Sequence, residues 1–281
     1  VNVPSDYLER PVAVVGAGAL GRRIALMFAS RGGSVRINDL DANQGAAALD
    51  FIAREFDEHP DWVRGHVEYT ANLDDAVANA WLVVESIPER LELKQALFAT
   101  LAATAPDDAI LTTNSSSYAS RLIVAGLPNA ERMLNTHFSW PPTGIAVEVM
   151  SCGVTSQRVL DFLMRALPEY GLRPFLVRRE STGFVFNRIW AAIKREALEI
   201  AADGISTPED IDEMCRLNFT FELMPFRAMD GIGLDVVYDI EQHYAEENPN
   251  LPAGPRKLLR RYIDSGRLGV KSGEGFYSDY D

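Results

Sequence analysis

The stretch NTHFSWPPTGIAVEVM, residues 135–150, sets a histidine and a glutamate, His137 and Glu148, at opposite ends of one short loop. Imidazole titrates near neutral pH, so it can take or return a proton in a reaction. A carboxylate bonded to the far ring nitrogen would fix its tautomer and stabilise the imidazolium that forms. The plainer alternative is a structural histidine at a strand end and an outward-facing strand glutamate.

A second constellation lies near the start of the chain. VAVVGAGALGRRIALMF runs from a β-rich stretch through Gly16, Gly18 and Gly21, in G-x-G-x-x-G spacing, into a helical pattern with apolar Ile24, Met27 and Phe28. Gly16 allows a tight turn, Gly18 lets backbone approach a pyrophosphate, and Gly21 permits close helix–strand packing. The triplet alone is weak evidence. Its strand–turn–helix context, with Asp39 closing the next β-rich run, makes it a dinucleotide fingerprint. An acidic residue at Asp39 accepts hydrogen bonds from a ribose and repels a 2′-phosphate, which favours NAD over NADP. Arg36 precedes Asp39 and, by strand alternation, need not share its face, and no basic residue follows immediately in DLDANQG.

These residues need a scaffold. Short β-rich runs, VAVV at 12–15, SVRIN at 34–38, WLVVES at 81–86, AILTTN at 109–114 and RMLNTHF at 132–138, alternate with longer amphipathic stretches. That rhythm predicts a mostly parallel sheet with crossover helices. IAVEVM at 145–150 and RPFLV at 173–177 extend it, flanking a helix that ends on Gly171. Beyond about residue 180 the signals turn helical. Phe186, Ile189, Ile193, Ala197, Ile200 and Ala201 recur at three- and four-residue steps, which predicts one buried stripe stopped by Gly204. Thr207 as N-cap, Pro208 at the first helical position and Asp210 as an acceptor for freed N–H groups announce a second helix. The chain therefore reads as an α/β domain over residues 1–180 and an all-α domain over 181–281, joined at the polar segment 178–183.

Composition narrows the partners. Lys+Arg 27 against Asp+Glu 40 leaves a net charge of −13, which argues against nucleic acid and anionic membranes. No apolar run approaches the ~18 residues of a membrane span, and the first residues lack a signal-peptide pattern, so a cytoplasmic home is expected. Cys152 and Cys215 lie far apart with no metal-type spacing, so neither a metal site nor a disulfide framework is expected.

Glu89, Ser116 and His137 all lie near carboxyl ends of the expected strands, the edge where open α/β sheets bind ligands. With GFVFNR at 183–188 and GVKSGEGFY at 269–277, the motif order resembles the 3-hydroxyacyl-CoA dehydrogenase family from Val12 to Tyr277. The resemblance implies a Rossmann-type domain, a helical domain that forms a homodimer, and a place in fatty acid metabolism. It implies NAD-dependent interconversion of an (S)-3-hydroxyacyl thioester and its 3-ketoacyl form. By motif, His137 matches the catalytic histidine, Glu148 its partner, and Ser116 and Asn187 the serine and asparagine that hold the reacting oxygen. Glu89, Lys94 and Lys271 match cofactor-contacting positions. Each has a structural alternative: Asn187 as a cap, and Lys94 and Lys271 as solvated charges. A free small 3-hydroxy acid or a carrier-bound acyl group is an alternative substrate, and a non-catalytic, crystallin-like NAD-binding protein is the alternative from another class.

The chain departs from the family pattern at HFSWPP, where Ser139 and Trp140 replace the usual aromatic-Asn-Pro; Trp140 is either a substrate wall or core packing. Arg227 replaces an expected glutamate, either to hold a substrate carboxylate or to bridge charges at the dimer surface. Residues 42–66 carry five acids against Arg54 and Arg64, a poor cradle for the phosphates of coenzyme A. These departures bear on the acyl group and its carrier and leave the hydride chemistry alone.

Overall fold

A computed structural model of the chain describes residues 2–219 and 224–280. The chain divides into two compact units, Val1–Val185 and Phe186–Asp281. The division falls at the start of the long helix, just beyond the polar segment 178–183.

In the first unit one sheet holds β1 (Val12–Val15), β2 (Val35–Asn38), β3 (Val67–Thr70), β4 (Leu82–Glu85), β5 (Ile110–Thr113), β6 (Met133–Phe138), β7 (Ala146–Ser151) and β8 (Arg173–Val177), in the order β3-β2-β1-β4-β5-β6-β7-β8. Every neighbouring pair is parallel except β6 and β7. Every residue of β1, β4 and β5 is buried, which is why these strands read as continuous apolar runs. β3 escaped the sequence reading: as an edge strand it buries none of its residues fully, so its hydrophobic signal is weak. The helices are α1 (Gly21–Ala29), α2 (Ala42–Glu58), α3 (Leu73–Val77), α4 (Leu91–Thr104), α5 (Ser120–Ile123) and α6 (Gln157–Ala166). α6 runs through a 3-10 turn to Gly171, whose φ of 73° ends it as expected. Strand order reverses beside β1, and that reversal opens a crevice at the carboxyl ends of the strands.

The second unit comprises α7 (Phe186–Ala202), α8 (Pro208–Asn218), α9 (Pro225–Ile232), α10 (Leu234–Glu247) and α11 (Gly254–Asp264). Thr207 caps α8, its Oγ1 accepting the Asp210 amide at 3.2 Å. The expected stripe of α7 needs correction. The helix buries Ala191, Lys194, Ala197 and Leu198, while Phe186 and Ile189 stay exposed. The C-terminal half of the stripe holds, with Ala197 buried and Ile200 and Ala201 packed against the same core, and packing against α9 and α11 adds Lys194 and Leu198 in place of the N-terminal half. Two buried carboxylates tie the C-terminal tail down. Asp212 accepts from the Phe226 and Arg227 amides and the Tyr277 hydroxyl, and Asp230 from the Phe276 and Tyr277 amides and the Tyr280 hydroxyl. Both cysteines are free thiols.

Burial pushes the Lys194 ammonium down to about 8 against the attraction of Glu241. Its ordinary value is 10.5, so between the two values the unfolded chain binds more protons than the folded one. The contribution at this position is therefore least favourable below about pH 8 and improves as pH rises towards the unfolded value. Lys194→Met should raise the melting temperature near neutral pH, with a gain on the order of 1 kcal/mol or more. That advantage should shrink as the pH rises from about 8 to about 10. Thermal denaturation over this range checks it, and an advantage that does not change with pH would rule out a buried charge as the cause.

Candidate active site

His137 on β6 and Glu148 on β7 are direct partners in the antiparallel ladder, so both side chains leave the sheet on one face. Glu148 Oε2 lies 2.9 Å from His137 Nδ1. Oε1 of the same carboxylate accepts the Val185 N–H at 2.8 Å. With Nδ1–H donated to the carboxylate, Nε2 is left with the free lone pair that a general base needs. The Phe184 ring stacks on the imidazole, 4.8 Å between centroids and 16° from parallel. Gly183 and Phe184 both hold left-handed backbone, φ 73° and 55°. For phenylalanine this costs roughly 1 kcal/mol or more. Its return is that one short turn delivers a ring to the histidine and an amide to the glutamate.

The adjoining strand ends carry a network of buried polar groups. Glu85, the last residue of β4, accepts from Lys94 Nζ at 2.6 Å, from the Ile87 amide at 2.8 Å and from the Thr113 hydroxyl. Lys94 also meets Glu89 at 3.1 Å. Glu89 in turn accepts the Ser115 hydroxyl and the Ser117 amide, and so grips the loop on both sides of Ser116, which stays exposed. Lys94 itself is enclosed by its carboxylate partners, so it bears on the site through Glu85 and Glu89. Two asparagines join this loop to the histidine strand. Asn114 Oδ1 accepts the Phe138 amide at 2.8 Å, and Asn135 Oδ1 accepts the Ser120 amide at 2.7 Å. Sequence reasoning missed Glu85, Asn114 and Asn135. The available signal was a polar residue closing or interrupting each otherwise apolar run.

A cavity of ≈ 750 Å³ opens at the ends of β1, β2 and β4, lined by Gly16, Gly18, Asp39, Ser86 and Leu93 among others. The glycines fit a dinucleotide. A Cβ at Gly16 would lie 2.4 Å from the Ser86 carbonyl oxygen and one at Gly21 1.8 Å from the Gly16 oxygen, whereas Gly18 faces open space that a phosphate can approach. Asp39 is held rigid: Oδ2 accepts the Ala17 amide at 2.7 Å and Oδ1 the Asp41 amide at 2.9 Å. Each oxygen keeps a further lone pair for a ribose hydroxyl. Arg36 is engaged elsewhere, with Glu68 at 2.7 Å and backbone carbonyls, and does not offer its charge to a 2′-phosphate.

Asn187 and Lys271 belong to the second unit, Asn187 half-buried at the start of α7 and Lys271 paired with Asp235. Arg227 is committed within its own chain. It donates twice to Asp279 and lies 3.6 Å over the Tyr277 ring, a salt bridge that leaves no free fork for a substrate carboxylate. Trp140 is half exposed beneath the Arg23 guanidinium, which lies 4.7 Å from its ring, and so is not core packing. Among the described residues no cluster of metal-ligating side chains exists, and no helix is long and apolar enough to cross a membrane.

Asp39 generates a direct test. Native protein should bind NADH much more tightly than NADPH, and Asp39→Ser should narrow the gap chiefly by weakening NADH, by about tenfold or more if two charged hydrogen bonds are lost. Fluorescence titration with both nucleotides measures it; equal affinities in the native protein would overturn the role.

Residues 11–181 match the NAD-binding domain of 3-hydroxyacyl-CoA dehydrogenase, and residues 183–279 match its C-terminal domain. A 3-hydroxyacyl-CoA dehydrogenase-like protein of Cochliobolus heterostrophus is 41% identical over 158 residues, 53% of this chain and 32% of its own. The 3-hydroxyadipyl-CoA dehydrogenase of Escherichia coli is 34% identical over 95% of this chain and 58% of its own. The chain thus spans about a third and somewhat over half of the lengths of these two relatives. The crystal structure of (S)-3-hydroxybutyryl-CoA dehydrogenase from Ralstonia eutropha superposes with a TM-score of 0.88 at 26% identity, over 97% of this chain and 99% of that one. With its first unit carrying the NAD-binding domain and its second the C-terminal domain, the chain belongs to the 3-hydroxyacyl-CoA dehydrogenase family.

Proposed function

We propose that the chain interconverts an (S)-3-hydroxyacyl thioester and its 3-ketoacyl form, with His137 as general acid–base. The observation that carries this reading is the cross-strand His137–Glu148 pair, in which one ring nitrogen is held by a carboxylate at 2.9 Å. NAD, when bound, supplies the hydride acceptor at nicotinamide C4. In oxidation, His137 Nε2 takes the hydroxyl proton, and Glu148 stabilises the resulting imidazolium; in reduction His137 returns that proton to the new alkoxide. The Ser116 hydroxyl, exposed between two Glu89-bound neighbours, is suited to hold the reacting oxygen, and its motif assigns Asn187 the same task. Glu89 and Lys94 act as positioning residues for that loop, and Lys271 takes a cofactor contact by its motif.

Recognition through the acyl-pantetheine end of the thioester is favoured over a full coenzyme A grip by one observation. α2 lies where the family meets the nucleotide, and its outward acids are largely unopposed, Arg64 being spent on Asp57 at 2.8 Å. NADH oxidation with a panel of 3-ketoacyl-coenzyme A, 3-ketoacyl-pantetheine and free 3-keto acids tests reaction and carrier together. His137→Gln should abolish turnover while NADH binding survives, and Glu148→Gln should lower kcat by ~10²-fold or more. Near-normal turnover in either variant would remove that residue from the mechanism.

A homodimer through the second unit completes the proposal. Met214 and Leu217, three residues apart on α8, are 63% and 66% exposed, an apolar pair that a second copy would cover. Leu217→Glu should convert a dimer to monomer in light scattering, whereas a native monomer at micromolar concentration would exclude the assembly.

A further inference from the structure

Arg22 and Arg23 stand in the first turn of α1, immediately after the glycine loop. Their guanidinium carbons lie 4.9 and 5.0 Å from the centroid of one ring, Phe51 on α2. Arg23 is flanked a second time by Trp140, and one of its Nη groups donates to the Pro141 carbonyl at 3.1 Å. Pro141 sits in the loop that joins His137 to Glu148. The Nε atoms of both arginines are buried without a hydrogen-bond partner among the described residues. Several arginines elsewhere are neutralised by carboxylates, among them Arg10 by Asp108, Arg36 by Glu68, Arg195 by Glu241 and Arg227 by Asp279, whereas the buried Arg132 is met by backbone carbonyls. Arg22 and Arg23 hold none within ion-pair distance among the described residues, although Asp and Glu outnumber Lys and Arg 40 to 27.

Two like charges against one aromatic ring repel each other at short range, and an anion between them would relieve that repulsion. The Nη atoms of Arg22 and the Arg23 Nη not engaged with Pro141 have no protein partner among the described residues and are the donors left for an anion. The cofactor is not the evident occupant, since neither arginine lines the dinucleotide cavity. The loop ties the pair to the reaction centre instead. Pro141 is four residues from His137, so their Cα atoms are at most ~14 Å apart. An arginine side chain and a short acyl chain together cover that separation.

We propose that Arg22 and Arg23 form a subsite for a carboxylate at the far end of the acyl group, which makes dicarboxylic 3-hydroxyacyl and 3-ketoacyl compounds the substrate class. The inference rests on the reaction proposed above. The rival source of a matching anion is a phosphate of the carrier.

The test compares 3-ketoadipyl and 3-ketohexanoyl groups, equal in carbon number and different in the terminal carboxylate, each as coenzyme A and pantetheine thioesters. Native kcat/KM should favour the carboxylated group by about 10- to 100-fold with either carrier, the worth of a charged hydrogen-bonded pair. Arg23→Gln should bring that ratio within about threefold of one, and Arg23→Lys, which keeps the charge and loses the fork, should fall between. A native ratio at or below one overturns the inference without recourse to any variant. So does an Arg23→Gln effect that appears only as a lost preference for coenzyme A over pantetheine, which would mark a phosphate site, or only as weakened NADH binding. Absence of NADH oxidation with all four compounds would overturn the reaction itself, and this inference with it.

Discussion

The antiparallel register of β6 and β7 places His137 directly opposite Glu148, and the proposed chemistry depends on it more than on any other contact. A slip of one residue would turn one partner to the opposite face of the sheet. The hairpin is closed at the loop end by the Ser139 amide on the Ala146 carbonyl and the Gly144 amide on the Trp140 carbonyl. At its other end Thr155 bridges the Met133 carbonyl and the Cys152 amide. The reversal of strand direction serves the proposed site. A hairpin lets the end of one strand and the start of the next share the ligand-binding edge, where a parallel neighbour would arrive only after a crossover helix.

The second dependence is on buried charge. Glu85 and Lys94 are both fully buried, and such a pair is costly unless every donor and acceptor is used. Here Glu85 takes an ammonium, a hydroxyl and an amide, and Lys94 reaches Glu89 and the Ile87 carbonyl as well. The stabilisation gained is modest by this argument; the gain is geometrical. Three strand ends and the loop around Ser116 are locked into one hydrogen-bonded unit, so the side chains at the crevice need little reordering when a ligand arrives.

Sequence reached the parts of this architecture that rest on local rules. β1 with its three glycines, Asp39 at the close of β2, and the Thr207–Pro208 helix start each follow from steric or capping chemistry within a few residues. β8 was legible to the residue, because its β-rich run is bounded by Gly171 and the polar segment after it. What escaped depends on neighbours distant in the chain. β3 is defined by pairing with β2, and the buried face of α7 is chosen by α9 and α11. The function of Phe184 was equally hidden, since nothing in GFVFNR announces that its ring will stack on a histidine 47 positions earlier.

The arginines show the same limit in electrostatic form. Arg227 drew notice because it reverses an expected charge, yet the folded tail presents Asp279 and Tyr277 to it and consumes its fork. Arg22 and Arg23 look unremarkable in the glycine-loop sequence, where a basic residue after the last glycine is an ordinary way to begin the polar face of a helix. Folding brings Phe51 and Trp140 against them and, among the described residues, no carboxylate. Residue type thus states that a charge exists, and tertiary structure decides whether it is neutralised. In a chain of net charge −13, a guanidinium pair without a carboxylate among the described residues is the feature on which the proposed subsite rests.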